Sequence, residues 1–146
     1  MMIVKSISPE ETKPLRHKVL WPHIPLQENC VIDIDHREDA IHLGTYLDEK
    51  LIAIGSFFSM SSPKIKFQNQ YRLRAMASDP EFRGRHAAQL LVIHGIEILR
   101  SQDIEVLWCD ARLTAVPFYA AIGFQKIEDI YEVPLIGPHQ FMWIEL

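Results

Sequence analysis

The feature that most constrains the fold is a long helical pattern enclosed by two strand patterns. Residues 71–78 (YRLRAMAS) alternate between faces as a strand does, and residues 103–111 (DIEVLWCDA) are typical of a buried strand. Residues 85–100 (RHAAQLLVIHGIEILR) lie between them and predict an amphipathic helix, whose buried face should carry Ala87, Leu90, Leu91, His94 and Ile98. This helix is long enough for a crossover, so the two strands should run parallel.

The remaining segments complete a mixed arrangement of helices and strands. Residues 1–7 predict a strand, residues 8–11 (SPEE) predict a helix start, Pro14 should interrupt that helix, and the proline-rich residues 22–30 predict a loop. Residues 39–60 predict a hairpin, residues 114–122 a short helix ended by Gly123, and residues 124–134 and 139–146 two closing strands. The order β-α-β-β-β-α-β-α-β-β predicts a mixed α/β fold with a central sheet, in one domain spanning residues 1–146.

Composition and charge argue against several classes of protein. The net charge of -4 disfavours a nucleic-acid partner, which needs a basic face. We see no basic leader of the kind that directs secretion. We also see no apolar run of about 20 residues, the length that spans a membrane. Cys30 and Cys109 form no CxxC pair, so we expect buried free thiols and a cytoplasmic location. The histidines are scattered without metal-ligand spacing, so we expect no metal.

The start of the long helix has the composition of an anion site. Residues 79–91 (DPEFRGRHAAQLL) place small residues at Gly84, Ala87 and Ala88 and cations at Arg83 and Arg85. The first turn of a helix has unpaired amides that, with the helix dipole, favour a phosphate. From these residues alone two interpretations remain open: a phosphate site, or a helix start with solvent-facing arginines.

Four parts of the chain resemble the GCN5-related N-acetyltransferase (GNAT) superfamily. Residues 73–91 are similar to its strand-turn-helix motif R/Q-x-x-G-x-G/A, and residues 110–124 (DARLTAVPFYAAIGF) are similar to its later segment N-x-x-A-x-x-(F)-Y-x-x-x-G-F. The order of elements matches, and residues 136–142 (IGPHQFM) resemble the GPH-x-x-M close of one subgroup. The resemblance implies a GNAT-like (acyl-CoA N-acyltransferase) fold, a mixed, mostly antiparallel sheet of about six to seven strands with a splayed parallel pair and helices on both faces.

The resemblance also implies which residues hold acetyl-coenzyme A (acetyl-CoA). The diphosphate would face the six residues of the motif, which are Arg83, Gly84, Arg85, His86, Ala87 and Ala88. The pantetheine arm would pair with backbone groups of Met76, Ala77 and Ser78. Asp110 stands where the family often has asparagine, and it could bond an amide of the arm. His86 stands where the family usually has glycine, and we expect it to need a negative φ.

The implied activity is transfer of an acetyl group from acetyl-CoA to a primary amine of a small molecule or peptide, by direct attack on the thioester. Tyr119 matches the tyrosine that acts as general acid near the sulfur, although it could also only pack its helix onto the sheet. No general base can be assigned, and His42 and His139 are candidates that could equally be structural. Cys109 is expected in the core. GNAT proteins often dimerise, so a homodimer is one option.

Other interpretations stay open at this point. Arg72 and Arg74 could favour an anionic acceptor, or could form salt bridges to Asp33, Asp35 or Glu38. The departures at His86 and Asp110 leave room for a catalytically silent module that binds CoA or acyl-CoA as a sensor or interaction partner. A Rossmann-type nucleotide binder is disfavoured because no G-x-G-x-x-G follows the first strand. We expect residues 8–40 to set acceptor specificity.

Overall fold

The computed structural model describes residues 1–146, apart from the side chain of Glu128. The strands are β1 (Met2–Ser6), β2 (Ile41–Leu47), β3 (Lys50–Ser59), β4 (Gln70–Ser78), β5 (Val106–Arg112), β6 (Gln125–Val133) and β7 (Gly137–Glu145). The α-helices are α1 (Pro9–Leu15), α2 (Ala87–Ser101) and α3 (Val116–Ile122). This order confirms the predicted succession of helices and strands.

The described strands form one mixed sheet of seven strands, in the order β1-β2-β3-β4-β5-β7-β6. β4 and β5 are parallel, with Arg72 opposite Trp108, as the crossover through α2 predicts. The pairs β1–β2, β2–β3, β5–β7 and β6–β7 are antiparallel. The predicted α/β class, with a mostly antiparallel sheet and one parallel pair, is therefore confirmed.

The chain divides into two compact units. The first unit comprises residues 1–58 and 73–95, and the second comprises residues 59–72 and 96–146. β4 and α2 each contribute residues to both units. The single domain over residues 1–146 stays a prediction, and the two units are described in turn.

In the first unit, α1 begins as predicted but does not end at its proline. Ser8 is the N-cap and forms a capping box with Glu11, whose amide donates to Ser8 Oγ at 3.3 Å while its carboxylate accepts from the Ser8 amide at 2.9 Å. The helix runs through Pro14 to Leu15 and continues as a π-helical turn over Arg16–Leu20. The expected interruption at Pro14 is wrong, because the α-helix includes Pro14 and the π-helical turn follows it without a break.

The two helices of the first unit pack on opposite faces of β3. Ile54 lies in a buried cluster with Leu15 of α1. The next residue, Gly55, faces α2, since a Cβ added there would lie 2.8 Å from Leu91 Cδ2. Successive residues of a strand point to opposite faces, so the sheet has a helix on each side here.

The buried face of α2 differs from the predicted one. The buried residues of the helix are Ala87, Leu91, Val92, Gly95, Ile96 and Leu99. Leu90 is 39% exposed and His94 is exposed, so their predicted core positions are wrong. The cause is Gly95, where an added Cβ would lie 2.3 Å from Phe57 Cζ, so the helix turns its glycine toward the sheet for close approach.

In the second unit, α3 and an irregular segment cover opposite faces of the strands. α3 ends at Gly123, as predicted, with φ of +124°, and a Cβ added there would lie 3.3 Å from Ile144 Cδ1 of β7. Ile144 pairs with Leu107, so α3 lies on the face of β5 that carries Leu107 and Cys109. The other face carries the stacked rings of Trp108 and Phe141, which pack against Ile65 of the β3–β4 connection.

Candidate active site

In the first unit, a short capped turn carries the chain from β4 to α2. The Asp79 amide donates to the Ile52 carbonyl oxygen at 2.8 Å. The Asp79 carboxylate accepts from the Glu81 amide at 3.1 Å and from Lys18 Nζ at 3.1 Å. Asp79 thereby caps the 3-10 turn Pro80–Phe82 and holds the end of β4 against β3. The residues that follow are positioned by this anchor.

The backbone turns into α2 through two residues with positive φ. Gly84 has a φ of +80°, and an added Cβ would meet nothing within 4 Å, so the space beside its Cα is open. His86 has a φ of +60° and an exposed side chain. The expectation of a negative φ at His86 is wrong, since histidine is one of the few residue types that enter the left-handed region at modest cost.

The start of α2 combines free backbone amides with two exposed arginines. Its first backbone hydrogen bond runs from the Leu90 amide to the His86 carbonyl oxygen, so the amides of residues 87–89 have no partner inside the helix. The first turn contains no acidic residue, and Arg83 and Arg85 are exposed beside it. These groups can bind an anion through amides, helix dipole and guanidinium groups together.

Sequence reasoning missed a third cation at this place. Lys50, at the start of β3, puts its Nζ 4.8 Å from the centre of the Phe82 ring, and the Arg85 guanidinium lies 5.9 Å from the same ring. A lysine in a hairpin turn gives no sequence signal that it will meet a loop about 30 residues further along the chain. Lys50 and Arg85 thus converge on one aromatic side chain.

The carboxyl end of β4 supplies the backbone that the resemblance assigned to the pantetheine arm. Ala77 is buried with Leu15 and Ile54, whereas Met76 and Ser78 are half-buried. Ala75, just before them, has a φ of +54°, which breaks the regular strand geometry. Strain of this kind is concentrated at functional sites.

In the second unit, Tyr119 of α3 packs against two aromatic rings. Its ring lies 5.0 Å from Phe118 and 5.2 Å from Phe124, and the residue is 6% exposed. Burial raises the pKa of the Tyr119 phenol well above its usual value, with a smaller contribution from Cys109. The hydroxyl therefore keeps its proton throughout the physiological range.

Asp110 is engaged by two side chains of the second unit. Its Oδ2 accepts from Arg72 Nη2 at 2.9 Å and its Oδ1 accepts from the Tyr131 hydroxyl. Burial and the bond to Asp110 raise the pKa of Tyr131, which stays a neutral donor. The salt bridge predicted for Arg72 exists, but its partner is Asp110 rather than Asp33, Asp35 or Glu38. Arg72 of β4 and Asp110 of β5 meet because their strands are neighbours in the sheet.

Two sequence comparisons decide the family. The family model of the Acetyltransferase (GNAT) family matches residues 4–124. A protein of Bacillus subtilis (strain 168), called uncharacterized N-acetyltransferase YitI, is 36% identical over 143 residues, which cover 98% of this chain and 95% of the relative. The chain belongs to the GNAT family. It is therefore an acetyltransferase by family, and the Rossmann interpretation does not apply.

Solved structures show the same GNAT fold. Escherichia coli ElaA matches with a TM-score of 0.75 and 19% identity over 98% of this chain and 99% of that chain. The crystal structure of an aminoglycoside 6'-N-acetyltransferase complexed with coenzyme A matches with a TM-score of 0.75 and 10% identity, over 98% of this chain and 96% of that chain. At these identities the likeness concerns the fold.

Of the candidate bases of this GNAT protein, His42 belongs to a buried network in the first unit. Arg16 Nη2 donates to Ser56 Oγ at 3.1 Å, Ser56 Oγ lies 2.7 Å from His42 Nδ1, and His42 Nε2 lies 2.9 Å from the Asp35 carbonyl oxygen. Arginine can only donate and a carbonyl can only accept, so the Ser56 hydroxyl donates to Nδ1 and Nε2 carries the proton. Burial lowers the pKa of His42, and with both nitrogens engaged it is a structural histidine.

The second candidate base, His139, and the thiol of Cys109 are also constrained by their surroundings. His139 is 7% exposed, and its Nδ1 donates to the Gly137 carbonyl oxygen at 2.9 Å, which leaves Nε2 as its accepting nitrogen. Cys109 is 2% exposed, and burial raises the pKa of its thiol, so no thiolate nucleophile is available there.

In the described part of the chain, no group of three or more His, Cys, Asp or Glu residues could hold a metal ion. None of the helices described is both long and apolar enough to cross a bilayer. The first unit does contain a cavity of ≈ 340 Å³, which Asp35, His36, Arg37 and His42 help to line.

Proposed function

We propose that this GNAT protein transfers an acetyl group from acetyl-CoA to a primary amine of a small molecule or peptide. The observation that carries the proposal is the start of α2, where amides without a partner inside the helix adjoin an open Gly84 and the exposed Arg83 and Arg85, and where the first turn has no acid. This is the chemistry that a diphosphate requires. The proposed diphosphate contacts are residues 83–88, with Lys50 close enough to add a third charge.

The remaining cofactor contacts are proposed on the family motif. Backbone groups of Met76, Ala77 and Ser78 would bond the pantetheine arm. The motif also predicts a bond from Asp110 to an amide of this arm, and in the structure Asp110 accepts from Arg72 and Tyr131. The buried free thiols of Cys30 and Cys109 support a cytoplasmic location.

In the proposed reaction, the neutral amine attacks the thioester carbonyl carbon directly. The new C–N bond forms as the C–S bond breaks, the amine releases a proton to solvent, and the sulfur takes a proton from Tyr119. Burial keeps the Tyr119 phenol protonated before the reaction, so it has a proton to give to the leaving thiolate, and it regains one from solvent afterwards. Backbone amides of the motif strand would polarise the carbonyl.

Calorimetry with acetyl-CoA tests the proposal. We expect the Arg83→Gln and Arg85→Gln variants each to weaken acetyl-CoA binding by about tenfold, as loss of one charge-assisted hydrogen bond does. Arg100→Gln is the matched control, because Arg100 is exposed in the last turn of the same helix. Equal effects of all three variants would contradict a phosphate site at the start of α2.

A thiol-release assay with a panel of amines tests the catalytic part. Release that depends on both acetyl-CoA and an amine is the expected result. Tight acetyl-CoA binding without release for any amine would favour the silent module instead.

A further inference from the structure

One group of side chains in the second unit has no role in the steps of the proposed acetyl transfer. It consists of Trp108, Asp110, Tyr131 and Phe141, and we call it the aromatic–carboxylate cluster. Trp108 and Asp110 alternate onto the same face of β5, and Phe141 of β7 stands opposite Asp110 in the sheet register. The Tyr131 hydroxyl donates to Asp110, which brings its ring to the same face.

The cluster lies on the face of β5 opposite to α3. The contact between Gly123 and Ile144 places α3 on the face that carries Leu107 and Cys109. Tyr119, the proposed acid, is therefore on one face and the cluster on the other. Asp110 also lies near the carboxyl end of a parallel strand, which is where open α/β sheets bind ligands.

Two cations of the chain itself lie over the rings of the cluster. The Arg72 guanidinium lies 5.0 Å from the centre of the Trp108 ring and pairs with Asp110 at 2.9 Å. The Lys64 ammonium lies 4.8 Å from the Tyr131 ring centre and 5.1 Å from that of Phe141. Aromatic faces and a carboxylate attract cations, and a primary ammonium already lies on two of these rings. The cluster thus has the chemistry of an alkylammonium site.

The end of the cluster formed by Asp110 and Tyr131 can be reached from solvent, whereas Trp108 and Phe141 are buried. The Asp110 side chain is 27% exposed, and Lys64 is an exposed residue on an irregular segment. A carboxylate offers about four acceptor positions, of which Arg72 and Tyr131 occupy two. A ligand ammonium could therefore add to Asp110 and take the place of Lys64 over the rings.

The cluster is unsuited to hold the nitrogen that reacts. The attacking amine must be neutral, whereas a carboxylate and aromatic faces stabilise the charged form. A second, non-reacting ammonium of the same acceptor fits both requirements. The pairing of Arg72 with Asp110 also offsets the charge that would have favoured an anionic acceptor.

We infer that the acceptor is an alkyl diamine or polyamine, one amine of which binds as an ammonium at the aromatic–carboxylate cluster while another attacks the thioester. Asp110 is then a specificity-determining residue of the acceptor site. Lys64 is an internal competitor that the acceptor displaces. The inference rests on the proposed acetyl transfer and adds to it the class of acceptor.

The test compares pentane-1,5-diamine with pentylamine, which differ by one terminal amine. We expect the wild-type protein to prefer the diamine by about tenfold or more in kcat/KM, a difference that one cation–π contact and a shared carboxylate can supply. Asp110→Asn should abolish the preference, so that its kcat/KM values for the diamine and for pentylamine become equal. A general loss of structure would lower both rates together, so the ratio separates recognition from folding.

Lys64→Met gives a second readout of opposite sign. Removing the internal competitor should lower KM for the diamine, whereas Lys66→Met, an exposed lysine on the same segment, should leave it unchanged. Equal use of the two amines by the wild type, turnover of neither while acetyl-CoA binds, or a diamine preference that survives in Asp110→Asn would each overturn the inference. Failure to bind acetyl-CoA would instead overturn the proposed function itself, and the inference with it.

Discussion

Replacement of Arg16 by methionine is expected to destabilise the first unit severely. Arg16 is fully buried, and its two terminal nitrogens bond the two oxygens of Asp35 at 2.7 and 2.9 Å. Arg16 also donates to the Cys30 carbonyl oxygen, while Asp35 accepts from the Ile32 amide. One ion pair therefore ties residues 30–35, in the segment between α1 and β2, to the π-helical turn.

The magnitude follows from the burial of both partners. Burial alone would raise the pKa of Asp35, but hydrogen bonds from Arg16 and Ile32 and the Arg16 charge bring it below its usual value. In the methionine variant the Asp35 carboxylate would be a buried charge without its partner, which costs about 3–5 kcal/mol. That is a large part of the roughly 5–15 kcal/mol that stabilises an ordinary domain.

Equilibrium unfolding in urea measures the effect. The control is Arg37→Met, because the Arg37–Asp39 pair is exposed, at 47% and 43%, and such pairs contribute about 0–1 kcal/mol. Adding Asp35→Asn to Arg16→Met should recover part of the loss, since it removes the unpaired charge. A loss in Arg16→Met no larger than that in Arg37→Met would refute the reasoning.

Three further variants test other parts of the structure. Tyr119→Phe should lower turnover at least about tenfold with little change in acetyl-CoA affinity, since only the proton donor is lost; unchanged turnover in the thiol-release assay would remove Tyr119 as the acid. Gly95→Ala should destabilise by about 1–3 kcal/mol in urea unfolding, because the clash with Phe57 outweighs the gain of about 1 kcal/mol in helix propensity; a more stable variant would contradict the packing. Burial lowers the pKa of His42 in the folded state, so the unfolded state binds more protons below the ordinary value of 6.5 and stability should fall as the pH drops through that value. His42→Gln should be less stable at neutral pH but lose less stability on acidification, and an equal loss in both proteins would exclude His42 as the group responsible.

The order of elements was predictable because each element carries a local pattern. The alternation of residues 71–78 and the helical spacing of residues 85–100 each lie within one segment, and together they require a parallel crossover. The buried face of α2 was not predictable from apolar residues, since Gly95 has no side chain to reveal that it packs on Phe57. The interruption at Pro14 was wrongly predicted for a similar reason, since nothing in the sequence signals that a π-helical turn follows.

The site could be predicted only where a local motif exists. The candidate anion site at the start of α2 lies within residues 79–91, so its small residues and arginines are visible together. The partners Arg72, Asp110 and Tyr131 come from three strands, and Asp35 meets Arg16 and His42, which are distant from it in the sequence. No spacing rule connects such residues, because the fold alone brings them together. The left-handed backbone of His86 shows that a motif visible in the sequence does not fix its local backbone geometry.

A crystal structure with acetyl-CoA tests the central claim most directly. The account predicts diphosphate oxygens within about 3 Å of backbone amides at the start of α2, with Arg83 or Arg85 in contact and the His86 imidazole turned away. A diphosphate bound elsewhere, or an imidazole that fills this space, would contradict it.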